Sequence, residues 1–120
     1  MAEPAGPGVT AGEVGSVELA RLSGLSYRQV ERWTAERVLK PSVHGKGSGS
    51  RHQYPCSEGA VAAVLGRYNR AVGPSEVRLL ARIAATIRTG DARWVRITAG
   101  TVTPVDMPAA DGAVYLSVRP

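Results

Sequence analysis

Phenylalanine is absent from the 120 residues, cysteine occurs once, and aromatic residues make up only 5%. Without phenylalanine, a core has to be built from Leu, Val, Ile and Ala with two tryptophans, and 43% hydrophobic residues suffice for one modest domain with a small appendage. The single Cys56 excludes an intrachain disulfide and any multi-cysteine zinc site, and it suits a reducing cytoplasm. Beside Pro55 it reads as a lone, half-buried thiol. His44, His52 and Cys56 fit no zinc-ligand spacing, so no metal or other cofactor is expected. No apolar run reaches the roughly 18 residues of a membrane span, and residues 1–15 lack the charged start and apolar centre of a secretion signal. With two prolines and four glycines, residues 1–15 read as a disordered tail.

Catalytic signatures are missing too. There is no glycine-rich phosphate loop ending in Lys-Ser or Lys-Thr, no nucleophile elbow, and no spaced carboxylate pair beside a histidine; the acids fall mostly at helix starts. An enzyme is not expected. What the chain does have is a basic excess in one place. The net charge is +5, and the stretch from Arg21 to Tyr54 holds seven Lys and Arg against two Glu, an excess equal to that of the whole chain. Such a balance favours a polyanionic partner.

The basic stretch is punctuated in a particular order. Ser16 is an N-cap type residue, Glu18 is an acid in the first turn, and Val17, Ala20 and Leu22 are spaced as one apolar face, which predicts a short helix. Ser23-Gly24 breaks it, and Leu25 supplies an apolar plug between two helices. Ser26 then caps a second helix running from Tyr27 to Val38, with Val30 and Trp33 inward and Arg28, Gln29 and Arg32 on the opposite side. Guanidinium and amide groups near a helix start are the equipment that contacts base edges and phosphates from a major groove. Trp33, on the same side as Val30, reads as core rather than as a stacking platform.

Pro41 stops the helix, and Gly45, Gly47 and Gly49 follow within five residues. A segment so rich in glycine builds no core, but it lets backbone N–H groups approach a phosphate closely. Lys46, Arg51 and His52 supply charge there, Ser48 and Ser50 add hydroxyls, and Tyr54 anchors the returning strand. Taken alone, a Gly-Ser stretch is also what a plain linker looks like.

Three segments together carry a family resemblance. Val30-Glu31-Arg32-Trp33, then Val38-Leu39-Lys40-Pro41, then Gly47-Ser48-Gly49-Ser50-Arg51-His52-Gln53-Tyr54 resemble the N-terminal DNA-binding domain of MerR-type transcriptional regulators, a fold that phage and plasmid excisionases share. The resemblance spans residues 16–90. It implies a winged helix-turn-helix, with Ser26, Tyr27, Arg28, Gln29 and Arg32 facing DNA from the second helix and Arg51 and Tyr54 touching the backbone from the wing. Family members carry glycine where Arg37 stands, so the turn from helix to wing is expected to be made differently here. The long dimerising helix that follows the fourth helix in effector-bearing members is not seen in the sequence.

Beyond the wing, Ser57-Glu58 opens a helix with Val61, Val64, Leu65 and Tyr68 on one stripe. After Gly73-Pro74, Ser75-Glu76 signals a fourth helix from Val77 to Thr89, with Val77, Leu80, Ala81, Ala84 and Ile87 at helical spacing while Arg78, Arg82 and Arg88 point elsewhere; Gly90 ends it. From residue 91 the period becomes two. Arg93 to Thr98 and Ala113 to Val118 alternate and Thr101 to Val105 continues extended, with turn signals at Ala99-Gly100 and Asp111-Gly112, which predicts two or three strands, and Pro104 makes the middle one an edge or a partial strand. So small a sheet must pack on the helices or pair with a second copy.

The expected fold is mainly α with a small β part: a disordered tail at 1–15, a four-helix winged helix-turn-helix at 16–90, and a β-rich extension at 91–120 that is read as the element of self-association or of a partner contact. The expected function is sequence-specific binding of double-stranded DNA by a cytoplasmic, nucleoid-associated transcriptional regulator, a repressor, through a recognition helix at 26–38 and a wing at 42–54. The candidate contact residues are Ser26, Tyr27, Arg28, Gln29, Arg32, Lys46, Ser48, Ser50, Arg51, His52 and Tyr54. A chain this small contacts few base pairs, so a dimer or a head-to-tail array is expected on the DNA. Two alternatives remain open: an excisionase-like or packaging protein that bends DNA, and a protein-interaction adaptor on a winged scaffold, which predicts weak DNA affinity with little salt dependence.

Overall fold

The computed structural model describes residues 13–43 and 52–118. Four helices and two small antiparallel sheets follow one another as β1 (Glu13–Gly15), α1 (Ser16–Ser23), α2 (Tyr27–Ala35), β2 (Gln53–Pro55), α3 (Ser57–Val72), α4 (Val77–Arg88), β3 (Trp94–Thr98), β4 (Thr101–Val105) and β5 (Val114–Ser117). The expected tail at residues 1–12 lies outside the described residues, but Glu13, Val14 and Gly15, read as part of that tail, form a strand. β1 pairs antiparallel with β2, setting Val14 opposite Tyr54 and Gly15 opposite Gln53.

Helix α1 turns a different face inward from the one its apolar residues suggest. Ser16, Leu19, Ala20 and Ser23 are buried, whereas Val17 and Leu22 are 70% and 57% exposed. Two serines can occupy inward positions because their hydroxyls are satisfied: Ser23 Oγ donates to Leu19 O at 2.7 Å, and Ser16 Oγ donates to Tyr54 Oη at 3.5 Å. Gly15, not Ser16, holds the N-cap position. Gly24 closes the helix in the left-handed conformation, φ +78°, with its N–H on Ala20 O at 3.0 Å. Leu25 packs on the core, beside Gly66 of α3, where a Cβ would stand 3.1 Å from Leu25 Cδ2.

Ser26 caps α2 as its sequence suggests, its hydroxyl accepting the Gln29 N–H at 3.0 Å. Val30 and Trp33 are buried, so Trp33 is a core residue. The helix ends at Ala35, three residues earlier than its pattern extends. Arg37 then takes φ +64°, and its N–H bonds Thr34 O at 3.0 Å while the N–H groups of Val38 and Leu39 bond Trp33 O at 2.9 and 3.1 Å. The turn is therefore left-handed with arginine in place, not built another way. It costs about 1 kcal/mol or more relative to glycine, and it buries Val38 and Leu39 completely.

The stripe read on α3 is inward as expected, with Val61, Val64, Leu65 and Tyr68 all buried. Cys56, at its N-cap position, is exposed rather than half-buried, and its side chain makes no capping bond. On α4 the buried set is Leu80, Ile83, Ala84 and Ile87; Val77 is exposed. Ser75 does not cap α4, since its hydroxyl turns back to Gly73 O at 3.4 Å. Arg88 does not point away. It reaches across to Glu58 of α3 and to Val38 O.

The C-terminal sheet has the order β4-β3-β5, and β4, which carries Pro104, is an edge. Ala99 (φ +47°) and Gly100 (φ +80°) make the two-residue turn between β3 and β4. Val95, Ile97 and Leu116 are buried in the same hydrophobic cluster as the helices. Arg67 of α3 donates to Ser117 O, and Arg82 of α4 donates to Gly100 O at 3.0 Å, so the helices hold the sheet at its β5 edge and at the β3–β4 turn. On the other face, Asp111 accepts from Ala113 N, Tyr115 Oη and Arg96 Nε at 3.1, 2.9 and 3.0 Å, and these donors, the backbone N–H foremost, hold its carboxyl below the usual range.

Candidate functional site

The α1-turn-α2 unit and the hairpin base after it bring most of the described candidate residues to one region. With Val30, Trp33 and Thr34 turned inward, the opposite ridge of α2 carries Arg28, Arg32 and Ala35, all exposed. Arg28 enters no ion pair among the described residues, and Arg32, its side chain 70% exposed, meets only Glu36 at 3.9 Å. An exposed pair of this kind holds little energy, so both guanidinium groups remain available for a planar bidentate contact. Tyr27 is about half exposed at the start of the helix, and Gln29 is partly buried beside Arg28. Ser26 is exposed, but its oxygen is committed to the Gln29 N–H, which leaves its hydroxyl as a donor.

The chain leaves α2 through Pro41 and returns at His52 as an antiparallel pair. Ser42 and Val43 N–H groups bond Gln53 O at 2.8 and 3.2 Å, and Gln53 N–H bonds Val43 O at 2.9 Å. Ser42 Oγ also donates to Glu13 Oε2 at 2.5 Å, tying β1 to the outgoing strand. Residues 44–51 lie between these pairs and outside the described residues, and with them lie the candidates Lys46, Ser48, Ser50 and Arg51. His52 is partly buried, its ring 6.2 Å from that of Tyr54.

Tyr54 has to be taken out of the contact set. Its side chain is 0% exposed, so it cannot touch a partner's backbone, and the anchoring role read directly from its place on the return strand is the one it performs. Thr34 Oγ1 donates to Val30 O at 2.7 Å; with that hydrogen committed, Tyr54 Oη donates to Thr34 Oγ1 at 2.7 Å and accepts from Ser16 at 3.5 Å. Burial pushes the phenol's pKa up, outweighing these two hydrogen bonds. One hydroxyl thus joins α1, α2 and β2 behind the exposed ridge.

A second set of contacts fixes the exit from α2. Glu58 Oε1 accepts the Lys40 N–H at 2.9 Å, and Arg88 Nη2 spans Glu58 Oε1 and Val38 O at 2.6 Å each. Beside this exit is an open groove of about 880 Å3, lined among the described residues by Glu31, Ala35, Arg37, Lys40, Pro41 and His52. Arg37 and Lys40 are exposed cations that motif reading left out of the candidate set. The signal for Arg37 was the arginine itself, standing where a left-handed turn favours glycine.

Among the described residues no cluster of three or more His, Cys, Asp or Glu is placed to hold a metal ion. No helix among them is long and apolar enough to cross a membrane. No protein-family model matches the chain, and no curated protein matches it either.

Proposed function

We propose that this chain is a sequence-specific double-stranded DNA-binding protein of the winged helix-turn-helix type, similar to MerR-type regulators, and that it acts as a transcriptional repressor. The observation that carries the reading is the ridge of α2: Arg28 and Arg32 stand exposed on a capped helix, entered from α1 through the three residues Gly24, Leu25 and Ser26 and left through a paired hairpin base. In this reading α2 lies in the major groove. Arg28 donates to the two acceptors of a guanine, Gln29 pairs with an adenine, and Arg32 with Lys46 and Arg51 holds phosphates. Occupancy of a promoter is enough for repression. A second copy on an adjacent half-site supplies the remaining specificity, and the sheet β3 to β5 is the proposed contact between copies.

Duplex affinity measured by fluorescence anisotropy between about 50 and 200 mM salt tests the reading. Contacts from five or so basic groups predict log Kd rising with log salt at a slope of about 4 to 5. Weak binding that ignores salt would transfer the basic face to some other role.

A further inference from the structure

Arg37 and Ala99 are the non-glycine residues with positive φ among those described. Ala99 sits in a two-residue hairpin before Gly100, where such a backbone is required of whichever residue stands there. Arg37 also meets a geometric demand, since Val38 and Leu39 are buried only because the chain reverses at it. Glycine meets that demand with less strain, so the turn does not explain the long cationic side chain. The guanidinium enters no ion pair among the described residues and lines the groove beside the exit from α2, with Lys40 three positions on. Lys40 is fixed through its backbone N–H on buried Glu58, so its exposed ammonium projects from a rigid point.

We propose that Arg37 and Lys40 form a phosphodiester-binding site in this groove, occupied by a backbone phosphate of duplex DNA next to the base pairs that α2 reads. The site rests on the DNA-binding reading and extends it beyond α2 and the wing. The two cations outweigh Glu31, the one acid among the described residues that line the groove, so an anion is favoured there. The groove is open and about 880 Å3 in volume, large enough to admit a phosphodiester and not only a small anion. Because the contact is to phosphate, it adds affinity without sequence preference.

The test is Arg37→Gly and, separately, Lys40→Ala in the full chain, with thermal melting and duplex affinity across a salt series. Arg37→Gly is expected to raise Tm by about 4 °C through relief of the left-handed strain. It should weaken duplex binding by about tenfold and lower the salt slope by about 0.9, equally for all sequences. Lys40→Ala should lower the slope by the same amount with Tm unchanged. Steep salt dependence in the wild type with unaltered Kd and slope in both variants would overturn the site and leave the DNA reading standing. No duplex binding by the wild type would remove both. A loss confined to particular sequences would make Arg37 a base-reading residue and overturn the phosphate assignment. Displacement of duplex by inorganic phosphate at constant ionic strength, abolished in both variants, would assign the groove to a free anion instead. Should Arg37→Gly lower Tm, Lys40→Ala decides: an unchanged slope in that variant overturns the site.

Discussion

The carboxylate of Glu58, 3% exposed at the start of α3, receives Arg88 Nε at 3.0 Å and Nη2 at 2.6 Å from the last turn of α4. The same carboxylate holds the Lys40 N–H, and the same guanidinium holds Val38 O, so the pair clamps the exit from α2 from behind. Arg88→Met leaves a buried carboxylate with one N–H donor and should cost about 2–3 kcal/mol in urea denaturation. Lys40→Ala keeps the backbone bond and should stay within about 0.5 kcal/mol of the wild type.

Tyr54→Phe removes the hydroxyl that joins Ser16 and Thr34 and is expected to cost about 1 kcal/mol at neutral pH. Thr34 keeps its bond to Val30 O, whereas the buried Ser16 hydroxyl loses the acceptor it reaches at 3.5 Å. Duplex affinity should be unchanged, because the ring is internal. The phenol's pKa is raised in the folded chain, so its stabilising contribution is complete below the unfolded value near 10 and is lost as pH rises through the folded value. The fall in stability above pH 10 should therefore be shallower in Tyr54→Phe than in the wild type, as read from urea midpoints across that range.

Ala99→Asn should stabilise the chain by about 0.5 kcal/mol, because asparagine tolerates the left-handed conformation better and Asn-Gly is the favoured pair for this hairpin. Thermal melting measures it. An unchanged or lower Tm would mean that the turn gains nothing from relief at residue 99.

The helices were legible where apolar spacing and turn residues agree: the α3 stripe, Trp33 beside Val30, Gly24 and Gly90 as left-handed stops, and Pro104 on an edge strand all follow from local rules. Misreadings arose where a polar residue is buried with a satisfied partner. Ser16 and Ser23 face the core of α1 on hydrogen bonds that no periodicity reveals, and Val17 and Leu22 are displaced outward. Glu58 and Arg88 look like a helix-start acid and a solvent-facing base, because their meeting depends on how α3 and α4 pack. Tyr54 carries both signals, a polar handle and a core-sized ring, and only the positions of Ser16 and Thr34 decide between them. β1 is three residues long, too short to show a period of two. On the candidate site, the exposure of Arg28 and Arg32 followed from Val30 and Trp33 being inward, whereas the groove at Arg37 and Lys40 depends on a chain reversal that helical spacing carries past.

Selection from a randomised duplex library, comparing the wild type with Arg28→Ala, tests the central claim most directly. The account predicts an enriched motif for the wild type and, for Arg28→Ala, lower affinity by about 1–3 kcal/mol with loss of preference at one guanine position. Absence of any enriched sequence in the wild type, at low and at moderate salt alike, would contradict it.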